Sequence, residues 1–231
     1  MRVGIIGAME IEVAQLRGEL SGRRDRQVAG MLFSEGSIAG VECAVVKCGA
    51  GKVNAALCVQ VLVSCLGATH VVNTGVAGSL AAAIDILDVV VSTDCVYHDV
   101  DATNFGYRLG EVPQMGTLSF AADEGLREAA VKAAQKTAPG TAVHQGRVAS
   151  GDQFVCRVED KQRIAGEFGA LCCEMEGAAI AHACWRNDVP FVVMRAISDK
   201  ADGSDRMSYD EFEVKAANRC AGIMRAMLAE L

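Results

Sequence analysis

The chain has 231 residues, 51% of them hydrophobic and 22% charged, and its 22 Lys and Arg stand against 29 Asp and Glu for a formal net charge of −7. That balance argues against a nucleic-acid partner, because such binding is driven largely by Lys and Arg releasing counterions, and it suits a protein that meets a small molecule. With only 3 Pro, no low-complexity segment and no repeat of a few tens of residues, no linker divides the chain, and a single domain over residues 1–231 is expected.

In chain order, Arg2 to Ile6 reads as a short apolar strand, and "GAMEIEVAQLRGEL" follows as a helix with Ile11, Ala14 and Leu20 at helical spacing. Two strands, Met31 to Ser37 and Val41 to Lys47, are joined by a turn at Ala39-Gly40. Val53 through Ile84 contains no Asp, Glu, Lys or Arg, yet polar residues and glycines break it too often for a membrane span. Its helix, "VNAALCVQVLVSCL", is apolar nearly all round and must be buried either in the core or against a second copy of the chain, which predicts a homodimer. "HVVNTGVAG" reads as a strand running into a glycine-rich turn, and "DVVVSTDCVYHD" as a strand pair or one bent strand. "AADEGLREAAVKAAQK" is a helix with its Ala and Leu on one stripe, and "TAVHQGRVASGD" is a strand ending at a turn.

The last third repeats the alternation: helix in "KQRIAGEF", strand in "GALCCEM", helix in "EGAAIAHACWRND", strand in "PFVVMRAISD". The final helix has a start signal in Ser208 with Glu211 three residues on. Strands alternating with helices imply an α/β fold with a central mixed β-sheet flanked by helices. Ligands of such sheets sit beyond the carboxyl ends of the strands. Six clusters fall there: Gly7-Ala8-Met9 with Glu12, Gly49-Ala50-Gly51, Thr74 to Gly78, Ser150 to Phe154, Glu174-Met175-Glu176, and Arg195 to Asp199. The ten Cys include no C-x-x-C pair and no zinc-ligand spacing, so they read as small core residues, and the start "MRVGIIGAM" has no secretory leader; both predict a reducing cytoplasm and no bound metal.

The motifs "GIIGAMEIEV", "GAGKVNAA", "NTGVAGSL", "YHDVDATNFGY", "SGDQF", "EMEGAAIAH" and "RAISDKAD" stand in an order and spacing that resemble the 5′-methylthioadenosine/S-adenosylhomocysteine nucleosidases of the purine nucleoside phosphorylase superfamily. The resemblance runs from Met1 to the final helix. It implies a nucleoside phosphorylase-like fold and cleavage of a purine N-glycosidic bond in a thio-nucleoside, with no cofactor. Such a reaction leaves a poor purine anion and builds positive charge on the ribose, so it needs an acid at the base and a carboxylate at the water, as in an inverting glycosidase. Asp199, ending a buried strand, is the candidate acid for the purine N7, and burial with neighbouring carboxylates is expected to keep its proton on. Glu12, near the start of the first helix, is the candidate base.

By resemblance Arg195 orients Glu12 and the water, and strand alternation would put Arg195, Ile197 and Asp199 on one side, allowing Arg195 and Asp199 to share the pocket. The family further implies that Glu176 accepts hydrogen bonds from the ribose hydroxyls while Met175 lies along the sugar. Phe154 would stack on adenine, the Val155 backbone would read the purine edge, Ser198 would support the acid or the base, and Tyr209 would line the 5′ side. Ala8, Met9, Ala77 and Gly78 complete the expected wall. Phe105, Tyr107 and Pro113 would come from a neighbouring subunit. Two positions depart from the family: Val76 where many relatives carry Ser, and Ala50 where they carry a larger apolar residue.

Taken singly, each residue has an ordinary explanation: Glu12 as a solvated helix residue, Asp199 as a cap, Arg195 as a structural ion-pair partner, Phe154 as core, His98 as a hydrogen-bonded strand end. Glu174 reads as a structural acid pairing with backbone or a basic neighbour. The ordered set favours hydrolysis. The rivals are a phosphorylase or a hydrolase of another nucleoside such as a futalosine-type compound, and a nucleoside-binding relative without chemistry.

Overall fold

The computed structural model describes residues 1–204 and 209–231. Among the described residues ten strands form one sheet: β1 (Arg2–Gly7), β2 (Ser21–Val28), β3 (Met31–Ile38), β4 (Val41–Lys47), β5 (His70–Ser79), β6 (Val89–Tyr97), β7 (Ser119–Ala121), β8 (Val143–Ser150), β9 (Cys172–Glu174) and β10 (Phe191–Asp199). Six helices accompany them: α1 (Glu10–Gly18), α2 (Lys52–Leu66), α3 (Glu124–Thr137), α4 (Val158–Phe168), α5 (Gly177–Arg186) and α6 (Tyr209–Leu228). The expected mixed sheet is present. In addition it closes on itself, because β10 pairs with both β5 and β6 while β6, β8, β9 and β5 are joined in turn. The ring gathers the strand ends around one space, and β1, β4, β3 and β2 extend outward from β5.

Successive residues of the inner strands enter different apolar clusters, as a two-residue period demands of a sheet covered on both faces. Val71 and Val193 pack with α2 and α5, whereas Val72 and Val192 pack with α1, α3 and α6. Each such Val or Ile, fully buried, contributes roughly 1.5–3 kcal/mol. Along α3 the buried Leu126, Ala129, Ala130, Ala133 and Ala134 form the expected stripe.

Several elements differ from the sequence reading. The buried face of α1 is Glu12, Val13, Leu16 and Arg17, while Ala14 is exposed; the rotation carries Glu12 inward. β5 continues through Gly75 and Gly78 to Ser79 instead of turning, because Gly75 to Ala77 pair with Arg195 to Ile197 of β10. "DVVVSTDCVYHD" is one strand with a register shift between Ser92 and Cys95. β2 carries Arg23, Arg24, Asp25 and Arg26 on an exposed sheet edge and has no apolar alternation to announce it; charges on such an edge discourage pairing with another chain. Ser208, half of the expected capping box, and the side chain of Glu211 lie outside the described residues.

α2 buries Ala55, Cys58, Val59, Leu62 and Leu66 but leaves Val53 70% and Leu57 49% exposed. Eight cysteines are buried, with Cys65 and Cys156 exposed. Among the described residues no helix is long and apolar enough to cross a membrane.

Candidate active site

A cavity of about 410 Å³ opens at the carboxyl ends of the strands. The β1–α1 loop gives it Ala8 and Met9, and α1 gives it Glu12. Ala50 follows β4, and Val76, Ala77 and Gly78 come from β5. Phe154 and Val155 lie between β8 and α4, Met175 and Glu176 between β9 and α5, and Ser198 and Asp199 at the end of β10. All of these except Val155, which the family resemblance supplied, were expected from the strand-end clusters. Phe154 is 81% exposed while lining the cavity, so it is not a core aromatic.

Glu12 occupies the third position of α1, where a carboxylate can reach back to the free N–H groups of the first turn. It accepts from the backbone N–H of Ala8 at 2.7 Å and Met9 at 2.9 Å, and from Val76 of β5 at 3.2 Å. Burial to 5% exposure raises its proton affinity, against the opposing pull of Arg195 and those three N–H groups. Gly75 makes this possible: a β-carbon there would stand 2.6 Å from Glu12 Oε1 and would also collide with Arg195 Nη1.

The two glutamates of "EMEG" separate by direction. Glu174 touches the cavity but its carboxylate is fully engaged by the protein, accepting from the N–H of Glu176 at 3.0 Å, the N–H of Gly177 at 2.8 Å, Ser150 Oγ and Arg195 Nη2. It thereby satisfies the open N–H groups at the start of α5, and Ser150 Oγ takes that of Ala178 at 2.7 Å. This matches the structural role read for it. Glu176 accepts from the N–H of Gly51 at 2.8 Å and stands 3.8 Å from Arg195 Nη2. Desolvation, then the charge of Glu174, push its carboxyl up to about 7.

Arg195 does not share the cavity wall with Asp199, contrary to the alternation argument. The β5–β10 register slips between Ile197 and Asp199, so the strand changes phase there. Arg195 is 1% exposed and lies behind the lining, bonded to Glu174 and, at 2.5 Å, to Asn73 Oδ1. Against the desolvation of burial, Glu174, Glu176 and Glu12 hold it charged.

Asp199 departs from expectation in its surroundings. It is only partly buried, and the group against it is a cation: Lys161 Nζ pairs with its Oδ2, while Ser198 Oγ lies 2.5 Å from its Oδ1. Sequence reading missed Lys161. Its signal was spacing, since Lys161, Ile164 and Phe168 form the buried stripe of α4 and a lysine occupies a core position on it. It also missed Asn73, whose amide donates to the carbonyl of Ile6 at 2.9 Å. His98, 2% exposed, is hydrogen-bonded at the strand end through its backbone, its N–H donating to the carbonyl of Ser150 at 2.9 Å, while neither ring nitrogen has a hydrogen-bond partner.

The side chain of Tyr209 lies outside the described residues. Phe105, Tyr107 and Pro113 are not part of this cavity wall, and Phe105 is 84% exposed.

Residues 2–229 match the model of the phosphorylase superfamily. The chain is 39% identical to a 5′-methylthioadenosine/S-adenosylhomocysteine nucleosidase from Shewanella denitrificans over the full length of both. It belongs to this nucleosidase family. The solved nucleosidase of Neisseria meningitidis in complex with methylthio-immucillin-A superposes with a TM-score of 0.93 at 39% identity, covering 100% of this chain and 99% of that one. That of Campylobacter jejuni gives 0.94 at 32% identity and full coverage of both.

Proposed function

We propose that the chain, one domain over residues 1–231, hydrolyses the N-glycosidic bond of 5′-methylthioadenosine and S-adenosylhomocysteine, releasing adenine and the 5-thioribose sugar without a cofactor. The observation that carries the reading is that, of the four carboxylates lining one cavity, Glu12, Glu176 and Asp199 are held separately while Glu174 is taken up by Arg195 and the start of α5. Glu12, pushed toward protonation by burial, suits a base that takes a proton from water and so creates the attacking oxygen. Asp199 delivers a proton to the purine N7 as the electron pair of the C1′–N9 bond moves into the base. Glu176 accepts from the ribose hydroxyls, and Arg195 steadies Glu12 and Glu176 from behind.

Met175 lies along the sugar, Phe154 stacks on adenine, the Val155 backbone reads its edge, and Ser198 supports Asp199. The exposed apolar side chains of Val53, Leu57 and Phe105 support a homodimer in which Phe105, Tyr107 and Pro113 complete the partner's site. A phosphorylase would need an anion where the water sits, and Glu12 repels one there.

The test is adenine release from methylthioadenosine in phosphate-free buffer. Release is expected at full rate. A requirement for phosphate would overturn hydrolysis, and no release from either thio-nucleoside would overturn the substrate assignment.

A further inference from the structure

The acid of the proposed reaction has a buried lysine against it. Lys161 is 3% exposed, and its Nζ donates to Asp199 Oδ2 and, at 2.6 Å, to the carbonyl of Lys200. A neighbouring cation favours the ionised form of a carboxyl group. An ionised carboxylate has no proton to deliver, so the pairing conflicts with the acid's task unless the proton on the lysine is the one delivered. We infer that Lys161 supplies the proton that Asp199 passes to the purine, the two side chains forming one unit that holds a single shared proton. The inference rests on the nucleosidase reading above.

The step balances. The Nζ–H bond of Lys161 breaks as an O–H bond forms on Asp199. Asp199 gives a proton to N7 while the C1′–N9 pair enters the purine, and Glu12 takes a proton from the attacking water. Lys161 is left as an amine and regains its proton from solvent once adenine departs, while Glu12 releases its own to solvent. Entry of the purine displaces water from the cavity, and loss of water favours the uncharged amine and carboxyl over the separated charges. The surroundings satisfy either form. Ser198 Oγ lies 2.5 Å from Asp199 Oδ1 and 3.2 Å from the carbonyl of Ala77, so it can donate to a carboxylate, or accept from a carboxyl while donating to Ala77.

Among the described residues, these charged groups nearby are engaged elsewhere. On α4, Asp160 takes the Arg157 guanidinium at 2.7 Å. Just after β10, the Lys200 ammonium reaches Asp85 at 2.6 Å. Glu174 holds Arg195, and Glu176 holds the Gly51 N–H. On β9, Cys173 feels both members of the pair, and burial keeps its thiol protonated.

The test compares Lys161→Gln and Lys161→Arg with the wild type, following adenine release from methylthioadenosine between about pH 5 and pH 10. Lys161→Gln is expected to lose roughly 100-fold in kcat at about pH 8, with KM within about threefold, and to recover toward about pH 5, where solvent protons are more abundant and replace the one Lys161 supplies. Lys161→Arg keeps a cation beside Asp199, but a guanidinium does not release its proton, so it stays impaired in the same way. Full rescue by Arg, or a loss equal at every pH, would overturn the inference. A wild type that releases no adenine at any pH fails the nucleosidase reading instead. Nitrogen NMR of the wild-type lysines then tests proton sharing without turnover: adenine at about pH 8 is expected to move the Lys161 Nζ signal from ammonium toward amine, and an unmoved ammonium signal overturns the inference.

Discussion

Arg195 and Glu174 form an ion pair, 1% and 3% exposed, in which Glu174 lies on the cavity wall and Arg195 behind it. Removing one member strands the other charge in the interior, at a cost of about 3–5 kcal/mol. Glu174→Gln is therefore expected to lower the urea midpoint by an amount of that order, and to weaken the start of α5 with it. An unchanged midpoint would show that Asn73 and Glu176 suffice to hold Arg195.

Gly75→Ala puts a methyl group where Glu12 Oε1 and Arg195 Nη1 now lie. Overpacking of this kind costs roughly 1–3 kcal/mol, and displacing a base by ~1 Å costs about 100-fold in rate. A folded variant with kcat reduced by that factor is expected. Wild-type kcat would mean that the base is not held by this close approach.

Glu176 gives a pH dependence with a definite sign. Its carboxyl is pushed up to about 7 in the fold, from 4.5, so the native state binds the proton more tightly than the unfolded chain. Its contribution to stability therefore falls as pH rises from about 4.5 to about 7 and stays low above that. Glu176→Gln should be the more stable protein at about pH 8, by about 1–3 kcal/mol, with the difference fading below about pH 4.5. Thermal unfolding across that range measures it, and a difference that does not change with pH would contradict the assignment. The same variant should raise KM, because the ribose loses a charged acceptor.

Asp199→Asn keeps size and shape but cannot pass a proton to N7. Turnover should fall by roughly 100-fold or more, while circular dichroism keeps the wild-type spectrum; the unfolding midpoint drops, because the buried Lys161 loses its paired carboxylate. Near-normal turnover would rule out Asp199 as the acid.

Much of this site was legible because chemistry at strand ends leaves polar residues where an apolar run stops. Glu12, Glu176 and Asp199 all stood at such stops, and all line the cavity. The separation of Glu174 from Glu176 was also readable, since residues two apart cannot share a helix face. The bulge at Ser198 was not: it arises from pairing β10 against β5, a contact between segments far apart in sequence, and it moves Arg195 behind the wall. Nor was β2, whose arginines follow no strand period, or the closure of the sheet, which no local pattern encodes. Lys161 was hidden for a different reason, because a lysine on an amphipathic helix is normally read as solvated.

The distribution of cysteines has a practical consequence. Desolvation pushes all eight buried thiols upward, and thiolate is the form that reacts with alkylating dyes. Cys65 and Cys156 are the accessible pair, and only Cys156 lies on the cavity wall. With Cys65 replaced by Ser, a single fluorophore attached at Cys156 would report occupancy of the cavity in the folded protein, with no engineered attachment point.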